Sequence, residues 1–168
     1  KLQVRLEHGS HADGVPTNAT WFRTGDMGVF IDGELFITGR IKDLIIVDGR
    51  NHYPQDIEAT AAEASDAVRA GFVAAFSVTA EELPASAGGT GTGAGERVVV
   101  VAERAPGWGK AGPEPVVEAI RAAVSRRHAL PIADVRLVAA GAIPRTTSGK
   151  LARRACRAEY LAGVLGTR

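Results

Sequence analysis

The chain has 168 residues, 45% of them hydrophobic, and a formal net charge of +1. That length supports one domain with its own core, or one and a fraction, and so even a charge balance argues against a generally nucleic-acid-binding chain. No apolar run approaches the roughly 20 residues that cross a bilayer as a helix, and the opening KLQVRLEHGS lacks the apolar core and cleavage site of a signal peptide. The single cysteine, Cys156, excludes an internal disulfide framework and a cysteine metal cluster; it fits a reducing, cytoplasmic setting and reads as a small core residue on a helix. Lys1 where an initiator methionine would stand leads to the expectation of a fragment.

Leu2-Gln3-Val4-Arg5-Leu6 alternates like a short strand and runs into a polar connector. His8 and His11 in that connector have no carboxylate or cysteine set to complete a metal site. Val29-Phe30-Ile31 and Glu34-Leu35-Phe36-Ile37 flank Asp32-Gly33, and Asp-Gly between apolar runs predicts a hairpin. Leu44-Ile45-Ile46-Val47 is a strand signal too short for a helix, closed by a sharp turn at Asp48-Gly49. Pro54 opens a helix predicted over residues 55–68, with Asp56 and Glu58 in its first turn and a thin apolar face of Ile57, Ala61, Ala62 and Ala64.

Residues 70–78 read as a buried strand, 80–96 as a flexible Gly-rich connector without phosphate-loop spacing, and 97–102 as a further strand. A second Gly/Pro-rich connector precedes a helix over 114–129 that carries Arg126, Arg127 and His128 near its end, where positive charge is favourable. His128 reads there as a dipole partner or surface residue. A last strand spans 132–139 and a last helix 151–165, directly after a Ser-Gly-Lys turn. The order of elements predicts an α+β fold, a small mixed β-sheet packed with helices and preceded by a β-hairpin. From Gly141 onward the chain carries a local excess of five positive charges, which favours an acidic partner or a phosphate.

Three strings carry the chemistry. Residues 39–58 read GRIKDLIIVDGRNHYPQDIE, residues 21–26 read WFRTGD, and residues 143–150 read IPRTTSGK. Taken singly each is a charged turn, and a solvated turn is its ordinary reading. In this order and spacing they resemble the motifs of the adenylate-forming enzymes, and the longest resembles the fatty-acyl-AMP ligases that load carrier proteins and polyketide synthases. The resemblance covers residues 21–160, and the strings AAFSV and RRACRAEYL are similar to mycobacterial members.

The resemblance implies that residues 1–40 are the terminal β segment of a large amino-terminal adenylation domain and residues 41–168 the small carboxy-terminal domain. It implies that Lys150 is catalytic, contacting the carboxylate substrate and the phosphate and ribose side of ATP; otherwise Lys150 is a surface lysine. Asp26 would bind the ribose hydroxyls and Arg40 the nucleotide; the alternatives are a turn-capping aspartate and a surface salt bridge. Lys42 would be the hinge about which the small domain rotates between adenylation and thioester formation, and Gly49, Arg50, Asn51 and His52 would form the loop used in the second conformation. ATP and Mg2+ are the implied cofactors, with the metal ligands expected in the large domain. A fatty acid is the implied substrate, and the phosphopantetheine of an acyl carrier protein or polyketide synthase the acceptor. Arg153, Arg154 and Arg157 would steer an acidic carrier, or are ordinary solvated arginines.

Two other readings stay open: the carboxy-terminal domain of an acyl-CoA ligase, and a non-catalytic module that binds a carrier protein. A nucleic-acid-binding role is disfavoured by the few aromatic residues and the absence of a matching motif. A piece this size, with no TSGTTGxPKG-type loop, is expected to be nearly inactive alone.

Overall fold

The computed structural model describes residues 24–84, 95–108 and 112–166. The Leu2 to Leu6 strand, His8, His11, the string Trp21-Phe22-Arg23 and most of the Gly-rich connector lie outside the described residues. The chain divides into two compact units, Lys1–Leu44 and Ile45–Arg168.

The described part of the first unit is a hairpin of β1 (Asp26–Ile31) and β2 (Glu34–Arg40), followed by a single 3-10 turn at Ile41–Asp43. Ile31 pairs with Glu34, Phe30 with Leu35 and Val29 with Phe36, the register expected from the Asp32-Gly33 turn. Both turn residues have positive φ, as do Asp48 and Gly49 in the next hairpin, the backbone that a two-residue type I′ connection demands. Phe30, Ile31, Leu35, Phe36 and Ile37 are all about half exposed or more.

The second unit begins with β3 (Ile45–Val47) and β4 (Arg50–His52), a short hairpin where the sequence suggested only a turn leading into a helix. After α1 (Pro54–Glu63) come β5 (Val68–Thr79), β6 (Glu96–Arg104), α2 (Glu114–His128), β7 (Ile132–Val138) and α3 (Arg153–Leu161). The sheet order is β5-β6-β7, with β5 and β6 antiparallel and β6 and β7 parallel across the α2 connection, so the expected mixed sheet forms.

Two expected helices are shorter than their sequence patterns. The first ends at Glu63 rather than reaching Val68, because the Ser65 side chain accepts the Ala67 N–H at 3.2 Å and its carbonyl accepts the Val68 N–H at 3.0 Å. That local turn competes with helix continuation and releases β-branched Val68 into β5. The last helix starts at Arg153 rather than Leu151, because Leu151 is bridged to Arg145 and the Ala152 N–H is used by the Pro144 carbonyl. It stops at Leu161, before Gly163 with its φ of 69°.

Strand β6 organises the core. Its four successive valines are fully buried, as expected for a central strand covered on both faces. Val98, Val100 and Ala102 face one cluster with Ile45 and Val47 of β3, Ile57 of α1, and Ile120 and Val124 of α2. Val99 and Val101 face the other, with Phe76, Val78, Ile143, and Cys156 and Tyr160 of α3. Tyr160 sits edge-on to Phe76 and donates its hydroxyl to Asp134 Oδ2 at 2.8 Å.

The edge of β5 away from β6 is covered by side chains. Glu58 of α1 accepts the Ala75 N–H at 3.0 Å and is gripped by Arg153 Nε and Nη2 at 2.6 and 2.7 Å, so one carboxylate ties α1, β5 and α3 together. Arg157 donates to the Ser77 carbonyl and, through Nη2, to both oxygens of Glu82. Glu82 also closes a capping box with Thr79, and these contacts lower its pKa.

Two tests follow from this packing. Replacing Glu58 by Ala leaves Arg153 half-buried without its carboxylate and orphans an edge N–H, so chemical denaturation should show a loss of roughly 3 kcal/mol; a loss below about 0.5 kcal/mol, the range of an exposed pair, contradicts the clamp. Burial, together with the Glu159 and Glu58 charges, pushes the Cys156 thiol up to about 12. The native protein should therefore resist alkylation at pH 8 and become labelled only with unfolding; rapid labelling of the native state counts against this packing.

Candidate functional site

The string IPRTTSGK forms a closed turn rather than a loose loop. The Thr146 N–H donates to the Lys150 carbonyl at 2.8 Å and the Gly149 N–H to the Thr146 carbonyl at 2.8 Å. The Lys150 N–H donates to Thr146 Oγ1 at 3.1 Å, and Thr146 Oγ1 lies 3.0 Å from Ser148 Oγ. Gly149 has φ 77°, a conformation that a side chain at this position would strain, so the glycine is what lets the chain double back one residue before the lysine. Lys150 itself is exposed.

Two arms hold this turn. At its start, Ile143 is buried and its N–H donates to Glu103 Oε1 at 3.0 Å. Glu103 follows Val99 and Val101 on the same face of β6, has no solvent exposure, and accepts a bond from Arg69 Nη1 at its other oxygen at 2.8 Å. A buried carboxylate is tolerable only when its oxygens are so engaged. At the far end, Arg145 donates from Nη1 to the Gly149 carbonyl at 2.7 Å and from Nη2 to the Gly71 carbonyl at 2.5 Å.

The surface under Arg145 comes from an irregularity in β5. The register with β6 slips between Val68 and Val73, and Gly71 in that stretch has φ 76°. Such a bulge re-aims side chains. Both guanidinium groups pack on the Phe72 ring, with the Arg69 carbon 3.4 Å and the Arg145 carbon 3.9 Å from its centroid. None of Arg69, Phe72, Glu103 and Arg145 stood out singly in the sequence. The available signals were the place of Arg145 inside the IPRTTSGK string and, for Glu103, an acid continuing the alternation of the valine strand.

The loop expected at Gly49 to His52 is the tip and second strand of the β3–β4 hairpin. Gly49, Arg50 and Asn51 are exposed, while Ile45 and Val47 anchor the hairpin in the core and leave Ile46 48% exposed. The Ile46 N–H donates to Glu96 Oε2 at 3.2 Å. The pKa of His52 is lowered by burial first, then by His128 and Arg50. His128 is half-buried, with Nε2 2.8 Å from Thr60 Oγ1. The Thr60 hydroxyl donates to the Asp56 carbonyl at 2.9 Å, so it accepts from His128 Nε2–H, which ties the end of α2 to α1.

In the first unit the two candidate nucleotide residues form a pair. Asp26 and Arg40 are cross-strand partners, and Arg40 Nε donates to Asp26 Oδ1 at 3.1 Å with Arg40 69% exposed. The surface salt bridge considered for Arg40 is thus present, and it contributes little to stability. Lys42 sits in the 3-10 turn between extended residues Arg40 and Leu44, two positions before the unit ends.

The basic helix surface differs from expectation. Arg153 and Arg157 are committed to Glu58 and Glu82, which leaves Arg154 as the exposed arginine of the three. Among the described residues no cluster of three His, Cys, Asp or Glu side chains is placed to hold a metal, and no helix is long and apolar enough to cross a membrane.

No family model matches the chain. It is 57% identical over 164 residues to the long-chain-fatty-acid–AMP ligase FadD32 of Mycolicibacterium smegmatis, covering 93% of this chain and 26% of that protein. It is 45% identical to the medium-chain-fatty-acid–[acyl-carrier-protein] ligase JamA of Moorena producens, over 86% of this chain and 23% of that protein. Among solved structures, a fatty acyl-adenylate ligase from a study of the E. coli and L. pneumophila enzymes superposes with a TM-score of 0.66 at 33% identity, over 85% of this chain and 22% of that one. The chain spans about a quarter of the length of the curated relatives it matches. With its three motif strings in order, the chain belongs to the fatty-acyl-AMP ligase family of adenylate-forming enzymes, as its carboxy-terminal part.

Proposed function

We propose that this chain is the small domain, with the end of the large domain, of an ATP-dependent fatty-acyl-AMP ligase. In the first half-reaction a fatty-acid carboxylate oxygen attacks the α-phosphorus of ATP, the bond to the β-phosphate breaks, and pyrophosphate leaves. In the second, a phosphopantetheine thiol on an acyl carrier protein or polyketide synthase attacks the acyl carbon, giving the thioester and AMP. The observation that carries this reading is Lys150: an exposed ammonium on a turn whose backbone is pinned at both ends.

Two anions must approach one another in the first step, and charge builds on the α-phosphate as they react. A cation whose root is already fixed stabilises that state more than the separated reactants, and needs little reorganisation to do so. Asp26 and Arg40 serve the nucleotide, the carboxylate accepting from the ribose hydroxyls and the guanidinium reaching the phosphate side. The exposure of Arg40 and its single-point pairing through Nε are compatible with that role.

Lys42 is the hinge. A change of backbone torsion in the short turn between two extended residues reorients the small domain, after which the hairpin segment of exposed Gly49, Arg50 and Asn51 with half-buried His52 faces the acceptor thiol. The five half-exposed apolar residues of the first hairpin support its assignment to the end of a larger domain, since an isolated two-stranded hairpin is at best marginally stable. Mg2+ accompanies ATP in such chemistry, and the described residues offer no cluster of three His, Cys, Asp or Glu side chains to bind it. The acceptor is a carrier protein rather than free CoA, in keeping with the similarity to the carrier-protein ligase, and the reducing cytoplasm suits a chain whose single cysteine is buried.

The test is fatty-acid-dependent exchange of labelled pyrophosphate into ATP by the ligase polypeptide that carries this chain. Residues 1–168 alone should be silent, and Lys150→Ala in the whole ligase should lower exchange by about 100-fold or more. A Lys150→Ala ligase within about twofold of the parent would falsify the assignment, leaving the carrier-binding reading. Offering CoA and holo carrier protein in competition should give acyl-carrier product in excess; predominant acyl-CoA identifies the CoA-ligase alternative instead.

A further inference from the structure

The charge of Arg145 is already committed within the protein. Its two terminal nitrogens donate to the Gly149 and Gly71 carbonyls, and its guanidinium carbon lies 3.9 Å from the Phe72 ring centroid. One of those carbonyls is in the peptide that joins Gly149 to Lys150, so the Arg145 fork sets the direction in which the lysine leaves the turn. The Phe72 ring is in place because of the β5 irregularity, and Arg69, over the same ring, is neutralised by Glu103. Glu103 in turn holds Ile143 at the other end of the turn. The contacts therefore run in series from Ile143 through Glu103, Arg69, Phe72 and Arg145 to Gly149, and the backbone of the turn joins the two ends.

We infer that Arg145 is a positioning residue for adenylation: seated on Phe72 and braced by Arg69 and Glu103, it fixes the Gly149–Lys150 peptide so that Lys150 meets the reacting phosphate without a search. This rests on the catalytic reading of Lys150 given above. A lysine at 145 cannot replace it, because an ammonium on a flexible stem neither bridges two carbonyls in a fixed plane nor stacks on the ring in the same way. Misplacement of a catalytic group by about an ångström costs up to roughly 100-fold in rate, so a residue that never touches substrate can matter this much.

The experiment uses the whole ligase with Arg145→Ala, Arg145→Lys, Phe72→Leu, Lys150→Ala, and the double variant Arg145→Ala/Lys150→Ala. Two half-reactions are measured: fatty-acid-dependent pyrophosphate exchange, and acyl transfer from supplied acyl-adenylate to holo carrier protein. Arg145→Ala should lower the exchange kcat about 10- to 100-fold, while transfer stays within about twofold and the melting temperature holds. Arg145→Lys should recover only a minor part, and Phe72→Leu should lower exchange in the same direction by a smaller factor. In the Lys150→Ala background, Arg145→Ala should change residual exchange by less than about twofold, the signature of two residues acting as one unit.

An Arg145→Ala ligase with normal exchange overturns the inference. So does a loss of equal factor in both backgrounds, or a parallel loss of both half-reactions with a fallen melting temperature. A fully active Lys150→Ala overturns the catalytic reading and this inference with it, whereas an inactive Lys150→Ala combined with an additive Arg145→Ala overturns this inference alone.

Discussion

Glu103 is a carboxylate without solvent exposure at the end of a strand of buried valines, and much of the second unit's order near its chemistry traces to how that charge is satisfied. Taking a carboxylate out of water costs several kcal/mol unless both oxygens are engaged. Here one oxygen takes Arg69, the other the backbone of Ile143, and each partner then fixes something further. Arg69 is brought over Phe72, and Ile143 is fixed at the base of the lysine turn. Removing the charge would therefore cost more than one ion pair, because Arg69 and the Ile143 end of the turn lose their common anchor.

The same economy governs the outer edge of the sheet. An edge strand presents unpaired backbone groups that invite another strand. Along β5 these groups are met by side chains from three elements: Arg145 at Gly71, Glu58 at Ala75 and Arg157 at Ser77. Three of the positive charges toward the end of the chain, Arg145, Arg153 and Arg157, are consequently used for architecture. Of the three arginines of α3, Arg154 is the one left exposed and outside these ion pairs.

The sequence was most legible where local chemistry decides the structure. Asp32-Gly33 and Asp48-Gly49 announced their turns because few other dipeptides accept positive φ at both positions, and the apolar runs around the first announced its strands. The short β4 strand was hidden because Arg50-Asn51-His52 has no apolar pattern; its pairing depends on Ile45 and Val47 being buried beside it. Helix ends depart from the sequence pattern where a single side chain, Ser65, or a single bridge, Arg145 to Leu151, outcompetes an otherwise helical pattern. Lys150 stands out in the sequence only as a candidate through its motif, and the contacts that hold its turn do not stand out at all. Arg145 meets Gly71 across 74 residues and Glu103 meets Ile143 across 40, and no local periodicity encodes such pairings.

The catalytic reading of Lys150 requires the lysine turn to be held in one conformation before any substrate arrives. Amide hydrogen exchange at Gly149 and Lys150 tests it most directly, because both N–H groups lie on an exposed segment that would exchange freely unless the bonds to Thr146 persist. Slowing of both amides by about tenfold or more relative to an unstructured peptide, lost in Arg145→Ala, is the predicted result. Exchange at the unprotected rate in the native protein would contradict it, and would make the turn a flexible loop that substrate must order.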